Sequence, residues 1–154
     1  MNIKILLITI FFATALFCQS CRSVPEIHKA AQTGNEKKVI EMIKNDPDIV
    51  NSRDKWGCTP LMYAAGYAQV NIVKLFIDAG ADIDSKGTKG NTVWMSVRGN
   101  IYYCKNLEEE IASLQKQKYP QANIDAFRKI HSPENQKKWE EILAILIEAK
   151  EKNK

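Results

Sequence analysis

The stretch that decides the fold runs from residue 52 to residue 84 and reads SRDKWGCTPLMYAAGYAQVNIVKLFIDAGADID. Thr59 can cap a helix through its hydroxyl, and Pro60 suits the first helical position because no backbone N–H is needed there. Gly80 suits the left-handed conformation that ends a second helix. The stretch therefore predicts a hairpin loop followed by two helices.

The same stretch also indicates which side of each helix is buried. Ala64 and Ala65 are small, as expected where two helices cross closely. Val73, Phe76 and Ile77 recur at helical spacing and predict the buried face of the second helix. From its first residue to its last, the stretch resembles an ankyrin repeat. The matching positions are Asp54, Gly57, Thr59, Pro60, Leu61, Ala64, Ala65, 72–75 and 79–83.

The residues upstream repeat this pattern. Residues 27–35 align with 61–69, and Val39, Met42 and Ile43 align with the three apolar residues of the second central helix. This first unit lacks the leading hairpin, which is typical of a repeat that caps the end of an array.

The residues downstream repeat the pattern in two separated pieces. Residues 90–97 align with 57–64, and the match resumes at 142–149, which copies 72–79. We interpret this as a third repeat that is split by an insert between its two helices. The third repeat is a degraded match, since Arg98 stands where the family has its second alanine.

The resemblance implies an all-α fold, an ankyrin-repeat solenoid of about three repeats whose last repeat is split by a helical insert. Apolar residues at helical spacing predict short amphipathic helices in the insert. Two interpretations of the insert stay open: a C-terminal cap or a partner-specific surface. The predicted bounds are a signal peptide at 1–21 and a repeat domain at 22–154, with repeats at about 24–51, 52–84 and 85–150 and the insert at about 100–136.

The N-terminal residues 1–21 have a composition of their own. A basic start, an apolar run at 5–17 and a polar exit predict a secretory signal. The run is shorter than the roughly 20 residues that a membrane-spanning helix needs. Ser20 before Cys21 resembles the lipobox of bacterial lipoproteins, which implies a lipid on Cys21 and a place in the cell envelope. An uncleaved anchor and a soluble secreted product remain the alternatives.

The composition favours neither nucleic-acid binding nor catalysis. The net charge of +4, from 22 basic and 18 acidic residues, is too small to indicate a nucleic-acid partner. The chain has two histidines, His28 and His131, and no phosphate-binding glycine loop or zinc-binding helix, so we expect no cofactor and no metal. A rival hypothesis places an enzyme site in the insert near His131, Glu134 and Tyr119; it predicts a deep pocket with perturbed carboxylates.

Cys58 and Cys104 remain after the N-terminal segment is set aside. An oxidising envelope would allow these two thiols to pair. The sequence does not give their separation in space, so a disulfide and two separate thiols both stay open.

The resemblance implies a binding face, because partners of ankyrin repeats usually contact the hairpin tips and the exposed side of each first helix. Large aromatic residues with a polar edge are typical interface anchors. Lysines and an arginine would make this face basic, so we expect a partner with an acidic or mixed patch. The alternative is that Trp56 merely packs on the next hairpin. The predicted contact positions are Gln32, Thr33, Arg53, Lys55, Trp56, Cys58, Tyr67, Lys86, Thr88, Lys89 and Asn91.

The predicted function is therefore a protein-binding module of the cell envelope. An inhibitor or immunity-type protein that blocks a partner enzyme is the alternative within the same class. Tight one-to-one binding with loss of the partner's activity would separate the two.

Overall fold

The computed structural model describes residues 24–152. The predicted signal peptide and the predicted lipidation site Cys21 lie outside these residues. Within them the chain is helical and has no strand, which confirms the predicted fold class. In chain order the elements are α1 Glu26–Thr33, α2 Glu36–Asn45, a 3₁₀ helix Pro47–Asn51, α3 Pro60–Gly66, α4 Val70–Asp78, α5 Val93–Lys105, α6 Leu107–Lys116, α7 Gln121–Ile130 and α8 Pro133–Lys152.

Local capping explains where the helices of the first two repeats begin and end. The hydroxyl of Thr59 accepts a hydrogen bond from the backbone N–H of Met62 at 3.4 Å, which starts α3. The side chain of Asn35 accepts one from the N–H of Lys38 at 3.1 Å and starts α2. Gly80 follows α4 with φ +84°, a conformation that glycine adopts without a steric cost.

The third repeat is formed by α5 and α8, which pack on each other and on the preceding pair. Its contacts resemble those of the central repeat. Gln69, just before α4, donates from Nε2 to the carbonyl of Gln32 near the end of α1 at 3.2 Å. Trp139 on α8 donates from Nε1 to the carbonyl of Ala65 near the end of α3 at 2.9 Å. In both repeats, the second helix is thus bonded to the first helix of the preceding repeat.

The two helices of this third repeat are longer than their counterparts. α5 has 13 residues where α3 has 7, and α8 has 20 residues where α4 has 9. α6 and α7 connect the extended ends and pack on each other.

The buried residues form two clusters. The larger cluster runs through all three repeats and includes Val73 and Phe76, which are fully buried as predicted, while Ile77 is half-buried. The smaller cluster lies in the insert and consists of Tyr103, Ile111, Leu114, Ile124 and Phe127. The insert therefore has a small core of its own.

The described helices are amphipathic or short. Across residues 24–152, none combines the length and the apolar character that a membrane crossing requires.

Candidate partner-binding site

The first hairpin, residues 53–58, is organised by one buried carboxylate. Oδ1 of Asp54 accepts from the backbone N–H groups of Trp56 at 2.9 Å and Cys58 at 2.8 Å. Its Oδ2 accepts from the hydroxyl of Tyr63 at 2.8 Å. Gly57 adopts φ +71° at the turn, and its N–H donates to the carbonyl of Asp54 at 2.9 Å. These bonds hold the tip in one conformation without help from a partner.

The second hairpin, residues 85–91, lies directly beside the first. Both the backbone N–H and the hydroxyl of Thr88 donate to the carbonyl of Trp56, at 2.8 and 2.9 Å. Arg53 spans the two hairpins and donates to the carbonyls of Gly57 at 3.0 Å and Lys86 at 2.7 Å. The two tips therefore form one continuous surface.

This surface carries basic side chains around an aromatic ring. Lys55, Lys86 and Lys89 are exposed, and Trp56 is half-buried. The ammonium of Lys55 lies 4.4 Å from the centre of the Trp56 ring, within the range of a cation–π contact. We call Lys55, Trp56, Lys86 and Lys89 the hairpin face.

Two of the predicted contact residues also serve the hairpins themselves. Besides its two carbonyl contacts, Arg53 donates from Nη2 to the hydroxyl of Ser85 at 3.1 Å. Asn91 is half-buried, and its Nδ2 lies 3.4 Å from the sulfur of Cys58. Both side chains are thus committed to holding the hairpins together, and this favours an internal role for them.

The remaining predicted positions lie elsewhere. Gln32, Thr33 and Tyr67 are at the C-terminal ends of α1 and α3, whereas each hairpin leads into the N-terminal end of a first helix. The 7 residues of α3 separate the two places by about 10 Å along the helix axis. Tyr67 is 40% exposed and Gln32 is half-buried. The structure therefore divides the predicted face into a hairpin part and a helix-end part.

The residues of the rival enzyme site in the insert lie in different environments. His131 is fully buried, and burial lowers its pKa to about 4. Glu134 is exposed, and the ammonium of Lys138 lowers its pKa through a hydrogen bond of 2.9 Å. One surface depression lies between α5 and α8 and another beside the end of α4; both are open, and neither is lined by His131, Glu134 or Tyr119.

His28, the other histidine, is also buried and contacts the neighbouring repeat. It is fully buried, its Nε2 lies 2.9 Å from the carbonyl of Cys58, and its ring packs edge-on against Tyr63. Burial lowers the pKa of the imidazole. His28 therefore links the first repeat to the base of the first hairpin.

Cys58 and Cys104 are not bonded to each other, and both are half-buried thiols. Burial, followed by the charge of Glu140, raises the pKa of the Cys104 thiol to about 11. Residues 24–152 contain no cluster of three histidine, cysteine or carboxylate side chains that could hold a metal ion.

Several exposed apolar side chains were not singled out in the sequence. Met95 is 62% exposed, Tyr102 45% and Ile147 44%. The alignment of the repeats could have indicated Met95. Met62 occupies the same position in the central repeat, where the next repeat covers it and leaves it only 7% exposed. Met95 has no further repeat to cover it among the described residues.

Comparison with known proteins gives one family match. The model of ankyrin repeats in three copies matches residues 10–97, more than half of the 154-residue chain.

Three curated relatives illustrate the range of proteins with similar segments. Delta-latroinsectotoxin-Lt1a of Latrodectus tredecimguttatus is 39% identical over 66 residues, which cover 42% of this chain and 5% of the toxin. The ankyrin repeat protein FPV223 of fowlpox virus is 34% identical over 71 residues, 46% of this chain and 50% of that protein. Inversin of Gallus gallus is 27% identical over 84 residues, 53% of this chain and 8% of inversin. The chain thus spans half or less of the length of these relatives.

One solved structure is similar over part of its length. A chain in the complex of the Bd0816 predatory endopeptidase from Bdellovibrio bacteriovorus with immunity protein Bd3460 superposes with a TM-score of 0.43 at 24% identity. The superposition covers 62% of this chain and 47% of that one.

Proposed function

Because the chain belongs to the ankyrin-repeat family, we propose that it is a protein-binding module, not an enzyme, and that the hairpin face is its contact surface. The observation that carries this proposal is the group of exposed lysines around the half-buried Trp56, on two hairpins that internal hydrogen bonds already hold in place. A surface that is ordered before binding loses less conformational entropy when a partner docks.

The charge of the hairpin face indicates the chemistry of the partner. Lys55, Lys86 and Lys89 are exposed and have no ion-pair partner within residues 24–152. Trp56 supplies a large apolar surface of the kind that anchors interfaces. The partner is a protein that presents carboxylates around an apolar patch.

A capture experiment with matched charge variants tests the hairpin face. The full chain and the variant Lys55→Glu/Lys86→Glu/Lys89→Glu are used as bait on detergent-solubilised membranes. The control is a variant with the same change of charge at exposed lysines without an ion pair elsewhere, Lys37→Glu/Lys44→Glu/Lys129→Glu. Circular dichroism checks that all three proteins fold. We expect one protein to bind the wild type and the control and to be lost with the hairpin variant.

The captured protein is then purified and rebound at increasing ionic strength. Contacts between exposed charges weaken with salt, so the affinity should fall as salt rises. Equal binding by the hairpin variant and the wild type would overturn the assignment of this face. If the captured protein is an enzyme, its activity in the one-to-one complex distinguishes an inhibitor from a scaffold.

We also propose that a lipid on Cys21 holds the module at a membrane. The support is the sequence of residues 1–21, an apolar run that ends in Ser20 and Cys21. Metabolic labelling with an alkynyl fatty acid in a bacterial host tests this proposal. The label should be lost in Cys21→Ala and retained in Cys18→Ala; retention of label in Cys21→Ala would refute it.

A further inference from the structure

The last layer of the described solenoid has an outer face that no described element covers. In the central repeat, the first helix α3 is covered by α5, and Met62 is 7% exposed. In the third repeat, no described element lies on the corresponding side of α5, and Met95 is 62% exposed. The outer face of α5 and α8 is therefore the free end of the array within residues 24–152.

On α5 this outer face is a stripe of apolar and basic side chains. Val97 and Ile101 face the core, and four exposed residues line an adjoining side of the helix. Those residues recur at the spacing of one helix face. They are Met95, Arg98, Tyr102 and Lys105.

On α8 the outer face is a stripe of apolar and acidic side chains. Ile142 and Leu146 are fully buried, and the exposed residues beside them again recur at helical spacing. They are Glu140, Ala144, Ile147 and Glu151.

The charges of these two stripes are not paired inside the described chain. Arg98, Lys105 and Glu151 take part in no ion pair within residues 24–152, and Glu140 accepts a single hydrogen bond, from Gln136 at 2.9 Å. Several other charged residues of α8 are paired within the chain, for example Lys150 with Asp84 at 2.8 Å. These four charged side chains are therefore available for ion pairs with a partner.

We propose that this outer face binds a second copy of the same chain through a two-fold axis. One helix of the face is basic and the other is acidic, so the face is complementary to itself. A two-fold interface is the arrangement in which one patch contacts an identical patch. The axis would run between α5 and α8, parallel to both, and lay the α5 of each copy along the α8 of the other.

The order of the residues along the two helices fits this arrangement. α5 and α8 run in opposite directions, because Arg98 lies near Ile147 and Glu151 at one end while Cys104 lies near Ser132 at the other. A rotation about an axis parallel to the helices keeps every residue at its own height. Each residue of α5 therefore meets the part of the second copy's α8 that lies at the same height in its own chain.

In this register the basic side chains of α5 come near the acidic side chains of α8. Within one chain the ammonium of Lys150 lies 5.4 Å from the centre of the Trp94 ring. Lys105 follows Trp94 by about three helical turns and Glu140 precedes Lys150 by about as many, so Lys105 comes to lie near Glu140 of the second copy. Arg98 comes to lie beside Ile147 and within one turn of Glu151. The small side chain of Ala144 leaves room for the ring of Tyr102. Tyrosine, methionine and arginine are also residue types that are enriched in protein interfaces.

A fourth ankyrin repeat is a poor occupant for the same face. Ala65 is fully buried where the central repeat meets its neighbours, and Arg98 occupies the same place in the third repeat. Close stacking of another repeat would bury the guanidinium without a partner, which is costly. The carboxylates of a second copy satisfy it instead.

Two variants of opposite charge test the proposal. In the acidic variant, Arg98→Glu/Lys105→Glu, both stripes are acidic; in the basic variant, Glu140→Lys/Glu151→Lys, both are basic. The control is Lys116→Glu/Lys129→Glu, which makes the same change of charge as the acidic variant on exposed residues of the insert. Mass is measured by sedimentation equilibrium of the full chain in a density-matched detergent, after circular dichroism has shown native helix content.

The expected result has three parts. Wild type and control form dimers. Each variant alone dimerises at least about ten-fold more weakly, because like charges face each other across the axis. An equimolar mixture of the two variants forms dimers again, since every acidic stripe then meets a basic one. A monomeric wild type, or a mixture that stays monomeric while the wild type dimerises, would overturn the proposal.

Discussion

Titration of the buried His131 is expected to couple the stability of the insert to pH. Its Nδ1 lies 3.0 Å from the carbonyl of Phe127, and its Nε2 lies 3.3 Å from Oδ1 of Asn100. The ring centre is 5.4 Å from that of Tyr103 and 5.8 Å from that of Trp139. The imidazole therefore joins α7 to both helices of the third repeat.

The magnitude follows from the difference between the pKa of His131 in the folded and unfolded chains. Burial lowers the folded pKa from the ordinary 6.5 to about 4. A lowered pKa means that the unfolded chain takes up the proton first as the pH falls. The contribution is complete above pH 6.5 and is lost as the pH falls towards 4. Between about pH 7.5 and about pH 4.5 the expected loss is about 2 to 3 kcal/mol of unfolding free energy.

Urea unfolding of the full chain in a mild non-ionic detergent, followed by tryptophan fluorescence, measures this loss. The matched variant is His131→Gln, which removes the titrating group and keeps a polar side chain. Because His28 and the carboxylates titrate in both proteins, the difference between the two pH profiles isolates His131. The wild type should lose about 2 to 3 kcal/mol more than the variant. Parallel profiles would refute the reasoning that burial holds this ring neutral.

Three further predictions concern the free energy of unfolding at neutral pH, measured by the same urea assay. Trp139→Phe removes the bond to the carbonyl of Ala65 and leaves space in the core, so it should cost about 1 to 3 kcal/mol; no loss would mean that this contact is not made. Asp54→Asn weakens three charge-assisted bonds at the first hairpin and should cost about 1 to 3 kcal/mol, whereas an unchanged midpoint would show that the hairpin is held otherwise. Gly80→Ala should destabilise by about 1 kcal/mol because its φ is +84°, while Gly66→Ala, at the last residue of α3 with open space for a Cβ, should be neutral or stabilising; the opposite order would contradict the backbone argument.

The repeat units could be predicted from the sequence because they depend on local rules. Thr59 caps α3 and Gly80 ends α4 through interactions within a few residues of the chain. The helical spacing of Val73 and Phe76 predicts the buried face of one helix, and both residues are buried. Because the repeats have a regular length, aligned positions predict the same features in the neighbouring units.

The roles of individual side chains on the hairpins depended on distances that the sequence does not contain. Arg53 was predicted as a partner contact because it is a charged residue at a hairpin position. In the structure its guanidinium reaches the carbonyl of Lys86, in the next hairpin, at 2.7 Å. His131 gave no sign of burial either, since its surroundings come from three separate helices. In both cases the decisive neighbour is distant in sequence.

The outer face of the third repeat shows most clearly why position in the array matters. Met62 and Met95 occupy the same place in successive repeats, yet one is buried and the other exposed. The exposed stripe is also long because of the insert. Tyr102 and Lys105 lie in the part of α5 that extends beyond the length of α3. The insert thus does more than link two helices, because it lengthens the last layer. This added length gives the proposed two-fold contact about three helical turns along α5 and α8.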